Sequence, residues 1–170
     1  EPSLPDTVSD IRVMGGAAMT LGNTTPMAEA NFHNDPVAAK RVVASASPKL
    51  ASLDALDYAT VLSDLIDEYR ESEPPLDTVG AWMDYPEEVR QYGATDDPII
   101  HDAAVVADVL DGVLSYETYY LDVDTSQGPS RGAVVCDKYG VYDEEPNAEV
   151  SVEIDVEGFR RTLRRTLESL

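Results

Sequence analysis

Positive charge, cysteine and long apolar runs are all scarce in this chain, and each scarcity closes off a class of function. Only 12 Lys and Arg face 33 Asp and Glu, for a formal net charge of -21. That surplus repels phosphate backbones and anionic lipid, which removes nucleic acid and membranes from the expected partners. Cys136 is the one cysteine, so neither an internal disulfide nor a Cys-x-x-Cys zinc site can form. It lies in the run AVVC, where a thiol reads as a small buried hydrophobe. No apolar stretch approaches the roughly 20 residues of a membrane-spanning helix. No basic-then-apolar leader opens the chain, so the expected compartment is the cytoplasm.

What is present is enough for a core: 43% of the 170 residues are hydrophobic, near the size of one domain. The acidic residues are scattered among periodic apolar positions and form no tail, so they do not signal disorder. Self-repulsion of this size is relieved by salt, because the screening length falls to about 3 Å at 1 M. An acidic, Lys-poor globular chain reads as the cytosolic protein of a halophile.

The apolar run Ile11 to Met14 ends in a glycine pair and reads as a buried strand delivering the chain to a loop. That loop, LGNTTPMAEANFHNDP, holds Asn23, Glu29, Asn31 and His33 within a few residues. Turn chemistry at Gly22, Asn23 and Pro26 accounts for such polar residues singly, as turn or cap groups. The loop nevertheless stands at the carboxyl end of a strand, the edge where open α/β sheets bind ligands. Asp35 and Pro36 then cap and start a helix through VAAKRVVASA.

Apolar spacing predicts one helix from about Leu53 to Arg70, ended by ESEPP. Residues 72–99 read as a loop-rich passage with one short helix at PEEVRQYG. A further helix starts near His101, stops at Gly112 and, being apolar nearly all round, should be deeply buried. From Tyr116 the period changes to two: YETYYLDVDT, RGAVVCDKYG and AEVSVEID read as strands, the first two joined through SQGPSRG. Asp155 caps a last helix with an apolar face of Val156, Phe159, Leu163, Leu167 and Leu170. Arg160, Arg161, Arg164 and Arg165 fall mostly off that face and read as solvated.

His101 and Asp102 stand at the entrance of the helix that Gly112 ends. Asp102 suits either a helix cap or a hard oxygen ligand, and His101 either a loop position or a proton donor near neutral pH.

Taken in order, VMGGA, GNTTPMAEANFHNDPVAA, IIHDAAVVADVL and DVDTSQGPSRGAVVCD resemble the inosine-uridine preferring nucleoside hydrolases. The family run is VMGGA, GN-x-TP, AEFN, DPEAA, HDP and a late VE-T-x-G-x-x-(T/S)-RG strand pair. Here Ala30 replaces the Phe of AEFN and Ala103 the Pro of HDP. The resemblance implies an α/β fold: an open, mostly parallel, Rossmann-like sheet flanked by helices, with an antiparallel addition near the C-terminus. It implies hydrolysis of the N-glycosidic bond of ribonucleosides to ribose and free base, assisted by Ca²⁺. Asn23 and Glu29 would bind the ribose 5′-hydroxyl, and Asn31 the ribose hydroxyls as an oxocarbenium-like transition state forms. Asp102 would ligate Ca²⁺ and His101 would protonate the departing base, while His33 matches no family role.

The family's N-terminal DxDxxxDD motif, which supplies most Ca²⁺ carboxylates, is not found in these 170 residues. The expectation is therefore the C-terminal portion of one nucleoside hydrolase domain, inactive by itself, whose N-terminal part is absent. A family strand ending near an LDVT motif is also expected to be missing, since SASPKL joins ASLDALDY directly. Partners implied are a ribonucleoside and either further copies, as dimer or tetramer, or the missing N-terminal part. The alternative is a non-catalytic nucleoside- or ribose-binding or structural relative on the same fold.

Overall fold

A computed structural model describes residue 5 and residues 7–83 and 97–170. The chain divides into two compact units, Glu1–Ala55 with Leu114–Glu153, and Leu56–Val113 with Ile154–Leu170.

The first unit is built on a five-stranded sheet. Strands β1 (Arg12–Met14), β2 (Lys49–Ala51), β3 (Leu114–Val123), β4 (Val134–Asp137) and β5 (Ala148–Ile154) run in the order β1-β2-β5-β3-β4. β1 pairs with β2 and β2 with β5 in parallel, with Val13 opposite Leu50 and Leu50 opposite Val150. β3 and β4 pair antiparallel, Leu121 opposite Cys136. This is the open, mostly parallel sheet with an antiparallel addition that the family resemblance implied. β2 also corrects one expectation: a strand stands directly between SASP and LDAL, where the family strand had looked missing. At three residues it is too short to announce itself by periodicity.

Helices α1 (Ala30–Asn34) and α2 (Pro36–Ala46) belong to this unit. Glu29 caps α1, and Asp35 caps α2 by accepting from the Ala38 N–H at 2.9 Å, with Pro36 in the first turn. Phe32, Val43, Leu50, Leu121, Val123, Ala148 and Val150 make the core, with Val13 and Cys136 packed against it. The half-buried Cys136 thiol is pushed up to about 11, first by burial and then by the charges of Asp54 and Asp137, which keeps it an inert apolar group.

The second unit is mostly helical. The expected single helix over 53–70 is broken: α3 (Leu53–Leu56) falls at the end of a first-unit segment, and α4 (Ser63–Arg70) belongs to the second unit. Between them Thr60 pairs with Ile99 in an isolated antiparallel bridge, so the backbone there is extended. α5 (Leu76–Met83) lies in the passage read as loop-rich, and the short helix expected at 86–93 falls outside the described residues. Gly80 lets α5 approach α4 closely, because a Cβ there would stand 2.6 Å from the Arg70 amide nitrogen.

Helix α6 (His101–Asp111) ends at Gly112 in the left-handed conformation, as its sequence predicts. Its burial differs from expectation: Ala104, Ala107 and Asp108 are buried while Val106, Val109 and Leu110 are exposed. Apolar character all round thus accompanies a helix covered on one side among the described residues. Helix α7 (Val156–Leu167) is capped by Asp155 through the Gly158 N–H at 2.9 Å and buries Phe159. Arg161, Arg164 and Arg165 are solvated, but Arg160 turns inward, donating to the Thr60 carbonyl at 3.0 Å and to Thr60 Oγ1 at 2.8 Å. No described helix is long and apolar enough to cross a membrane.

Candidate functional site

β1 delivers the chain at Met14 to a turn whose amides are taken by fixed acceptors. Gly15 N–H continues the parallel ladder to the Ala51 carbonyl at 3.1 Å. Gly16, left-handed at φ 77°, gives its N–H to Glu29 Oε2 at 2.9 Å. Ala18 and Met19 donate to the two oxygens of Asp54 at 2.9 and 2.7 Å. The Gly16 carbonyl receives the Leu53 N–H at 3.0 Å, which ties the turn to the residue beside Asp54.

The GNTTP stretch then closes on itself. Gly22 N–H reaches the Pro26 carbonyl at 3.3 Å, and Thr24 and Thr25 both donate to the Ala28 carbonyl. Gly22 is required by contact, since a Cβ there would lie 2.3 Å from the Ala28 backbone. Asn23 Oδ1 accepts the Ala30 N–H at 3.0 Å, which leaves its Nδ2 for another partner.

Glu29 is buried, and besides Gly16 it accepts from Asn31 at 2.7 Å and from Phe32 at 3.2 Å. Three donors on one carboxylate make it the tie between the β1 turn and α1. A carboxylate offers about four acceptor positions, so one remains for a hydroxyl. Asn31 is exposed at the start of α1, its Nδ2 donating to the Met14 carbonyl at 3.3 Å and its Oδ1 open. It borders a pocket of about 210 Å³ walled mainly by apolar groups, among them Val13, Phe32, Val43 and Leu50, with Asp35 the other polar member. Asn23, Glu29 and Asn31 are thus brought together by one web of hydrogen bonds. His33 is half-buried in α1, and Gly132 packs on its backbone: a Cβ at Gly132 would stand 2.5 Å from the His33 Cα. That contact is made by the His33 backbone and would hold for any residue there.

His101 and Asp102 belong to the second unit, as the first and second residues of α6. Asp102 is not the helix cap. Ile100 holds that position without a side-chain bond, its N–H taken by the Ala59 carbonyl at 3.0 Å, and Asp102 points to solvent in the first turn. A carboxylate there is favourable toward the helix dipole and free to act as a ligand. His101 Nε2 lies 3.5 Å from Asp57 Oδ1. Among the described residues no group of three or more His, Cys, Asp or Glu is gathered to hold a metal. Asp102 alone does not fit Ca²⁺, which takes six to eight oxygens.

Asp54 and Asp57 were not marked by the sequence. Both fall in a stretch whose apolar spacing read as helix, where an acidic residue is an ordinary solvated position. The one local signal was a carboxylate shortly after a small apolar run.

The family description for inosine-uridine preferring nucleoside hydrolases matches residues 1–161. The pyrimidine-specific ribonucleoside hydrolase RihA of Salmonella arizonae is 34% identical over 174 residues, covering 98% of this chain and 55% of that protein. The putative pyrimidine-specific ribonucleoside hydrolase RihB of Shigella boydii is 32% identical, covering 94% of this chain and 67% of that protein. Among solved structures, the plant nucleoside hydrolase PpNRh1 aligns with a TM-score of 0.86 at 21% identity, over 100% of this chain and 57% of that one. The purine-preferring ribonucleoside hydrolase from Gardnerella vaginalis aligns at 0.84 and 24%, over 99% and 54%. Likeness at these identities speaks for the fold. The chain spans about half the length of the RihA relatives and of these solved structures. With nearly the whole sequence inside the family match, this chain belongs to the inosine-uridine preferring nucleoside hydrolases.

Proposed function

We propose that the intact protein hydrolyses the N-glycosidic bond of ribonucleosides, with the loop after β1 as its ribose grip. The observation that carries this is the web around Glu29. It fixes the loop from both sides and leaves the Asn23 amide and the Asn31 carbonyl oxygen able to address a sugar. Bond cleavage builds positive charge on the ribose and negative charge on the base. A grip that is rigid before the substrate arrives loses little in reorganisation as that charge develops. Glu29 and Asn23 are assigned to the 5′-hydroxyl and Asn31 to the ring hydroxyls near the reacting carbon. His101 is assigned to protonating the departing base.

None of these roles runs through Ca²⁺, because the described residues of this chain do not form its site. A Ca²⁺-assisted reaction in the intact protein needs oxygen ligands beyond Asp102. The second reading is a relative that binds a nucleoside or ribose without turnover. Calorimetry on the 170-residue chain should accordingly detect no micromolar Ca²⁺ binding. A micromolar heat signal would mean that ligands have been overlooked.

The activity reading is tested in the intact protein with His101→Ala. Turnover of ribonucleosides with poor leaving groups should fall by about 10²- to 10⁴-fold, while p-nitrophenyl riboside, whose leaving group needs little protonation, should be spared. Equal losses on both substrates remove the acid role. An intact wild-type protein that binds ribose but turns over neither substrate favours the second reading.

A further inference from the structure

Backbone pairing between two distant segments brings a carboxylate to the ring of His101. Thr60 bridges Ile99, the Ile100 N–H donates to the Ala59 carbonyl at 3.0 Å, and the Val61 N–H to the Pro98 carbonyl at 2.9 Å. These bonds fix the register of residues 59–61 against 98–100. His101 follows directly on one side of this zipper, and Asp57 lies just ahead of it on the other. Asp57 Oδ1 and His101 Nε2 meet at 3.5 Å as a result.

The two ring nitrogens of His101 differ in surroundings. Nε2 is closed to solvent and has no hydrogen-bond partner among the described residues, although 27% of the side chain remains exposed. A buried ring nitrogen left unpaired is costly, and a small ring rotation that brings Asp57 to about 2.9 Å satisfies it. A carboxylate can only accept, so this contact selects the tautomer with hydrogen on Nε2 and turns the Nδ1 edge outward.

We infer that Asp57 is a positioning residue: it accepts the Nε2–H of His101 whether the ring is neutral or protonated, and the proton given to the leaving base is the Nδ1–H that the imidazolium carries on its open edge. The catalytic half of this inference rests on the reading of His101 as proton donor. The geometric half does not.

The test uses Asp57→Ala and Asp57→Asn in the intact protein, because Asn keeps an acceptor oxygen for Nε2–H. Long-range proton–nitrogen spectra of the wild type should show that the neutral form of the His101 ring carries its hydrogen on Nε2. Asp57→Ala should lose that preference and Asp57→Asn should retain it. Kinetically, Asp57→Ala should lower kcat on ribonucleosides with poor leaving groups by about 10- to 100-fold with KM little changed, spare p-nitrophenyl riboside, and be largely rescued in Asp57→Asn. A tautomer unchanged in Asp57→Ala overturns the inference whatever His101 does in catalysis. Equal losses on both substrates in Asp57→Ala, where His101→Ala does show the leaving-group dependence, overturn it as well. If His101→Ala itself shows no leaving-group dependence, the acid reading has failed, and the spectra alone decide whether Asp57 positions the ring. Should Asp57→Ala fail to fold, Asp57→Ser, whose hydroxyl is too short to reach, takes its place in both arms.

Discussion

Asp102 stands in the solvent-facing first turn of α6 with no structural duty among the described residues beyond its charge near a helix start. Ile100 occupies the cap and the backbone there is secured by Ala59. Asp102→Asn should therefore change stability by no more than about 0.3–1 kcal/mol, the range of a charge near a helix terminus. If the carboxylate ligates Ca²⁺ in the intact protein, the same substitution should weaken metal binding and cut turnover strongly. Denaturant unfolding beside steady-state kinetics separates the two, and near-normal activity would remove the ligand assignment. Glu29 is the opposite case. Its carboxylate is buried and bound to three amides, so replacing it loosens the loop whatever its part in the proposed sugar contact. Asn31, exposed and lightly held, is the cleaner probe of substrate contact.

Among the elements, the joint between α1 and the β3–β4 connection is tight. Gly132 has φ 80°, and a Cβ there would lie 2.5 Å from the His33 Cα and 2.8 Å from its nitrogen, all main-chain atoms that cannot swing aside. Gly132→Ala should cost about 1–3 kcal/mol, read as a lower urea midpoint, through overpacking together with left-handed strain. A midpoint equal to wild type would mean the connection does not rest on α1. The elements that could be read from sequence are those whose signals are local. Asp35 with Pro36, Gly112 and Asp155 mark helix ends by chemistry confined to one turn. The break between α3 and α4 was hidden because Thr60 is held extended by Ile99, far along the chain. The exposed side of α6 was hidden because apolar residues do not say which of them will be covered. The candidate site divides in the same way. Asn23, Glu29 and Asn31 cluster in sequence and were visible. Asp54 and Asp57 act on Ala18, Met19 and His101, partners that only the fold brings near.

For the whole molecule the governing quantity is the net charge of -21. Exposed pairs such as Arg164 with Glu68 and Arg165 with Asp111 offset little of it, because ion pairs at the surface gain little over their contacts with water. Raising KCl from about 0.1 M to about 2 M screens those pairs, but it screens the much larger self-repulsion too. Thermal unfolding should therefore shift upward across that range, and a flat or falling midpoint would remove the salt-adapted reading. Beneath this outward sensitivity to salt lies a segment that water itself should find hard to enter. The amides of Gly15, Gly16, Ala18 and Met19, outside any helix or strand, are all committed to acceptors from three other stretches of chain. In a deuterium-exchange map such a turn keeps time with the sheet, because no single amide opens without releasing Ala51, Glu29 or Asp54 as well. A slow patch in the middle of an irregular loop is the trace that this bonding should leave even when nothing is bound.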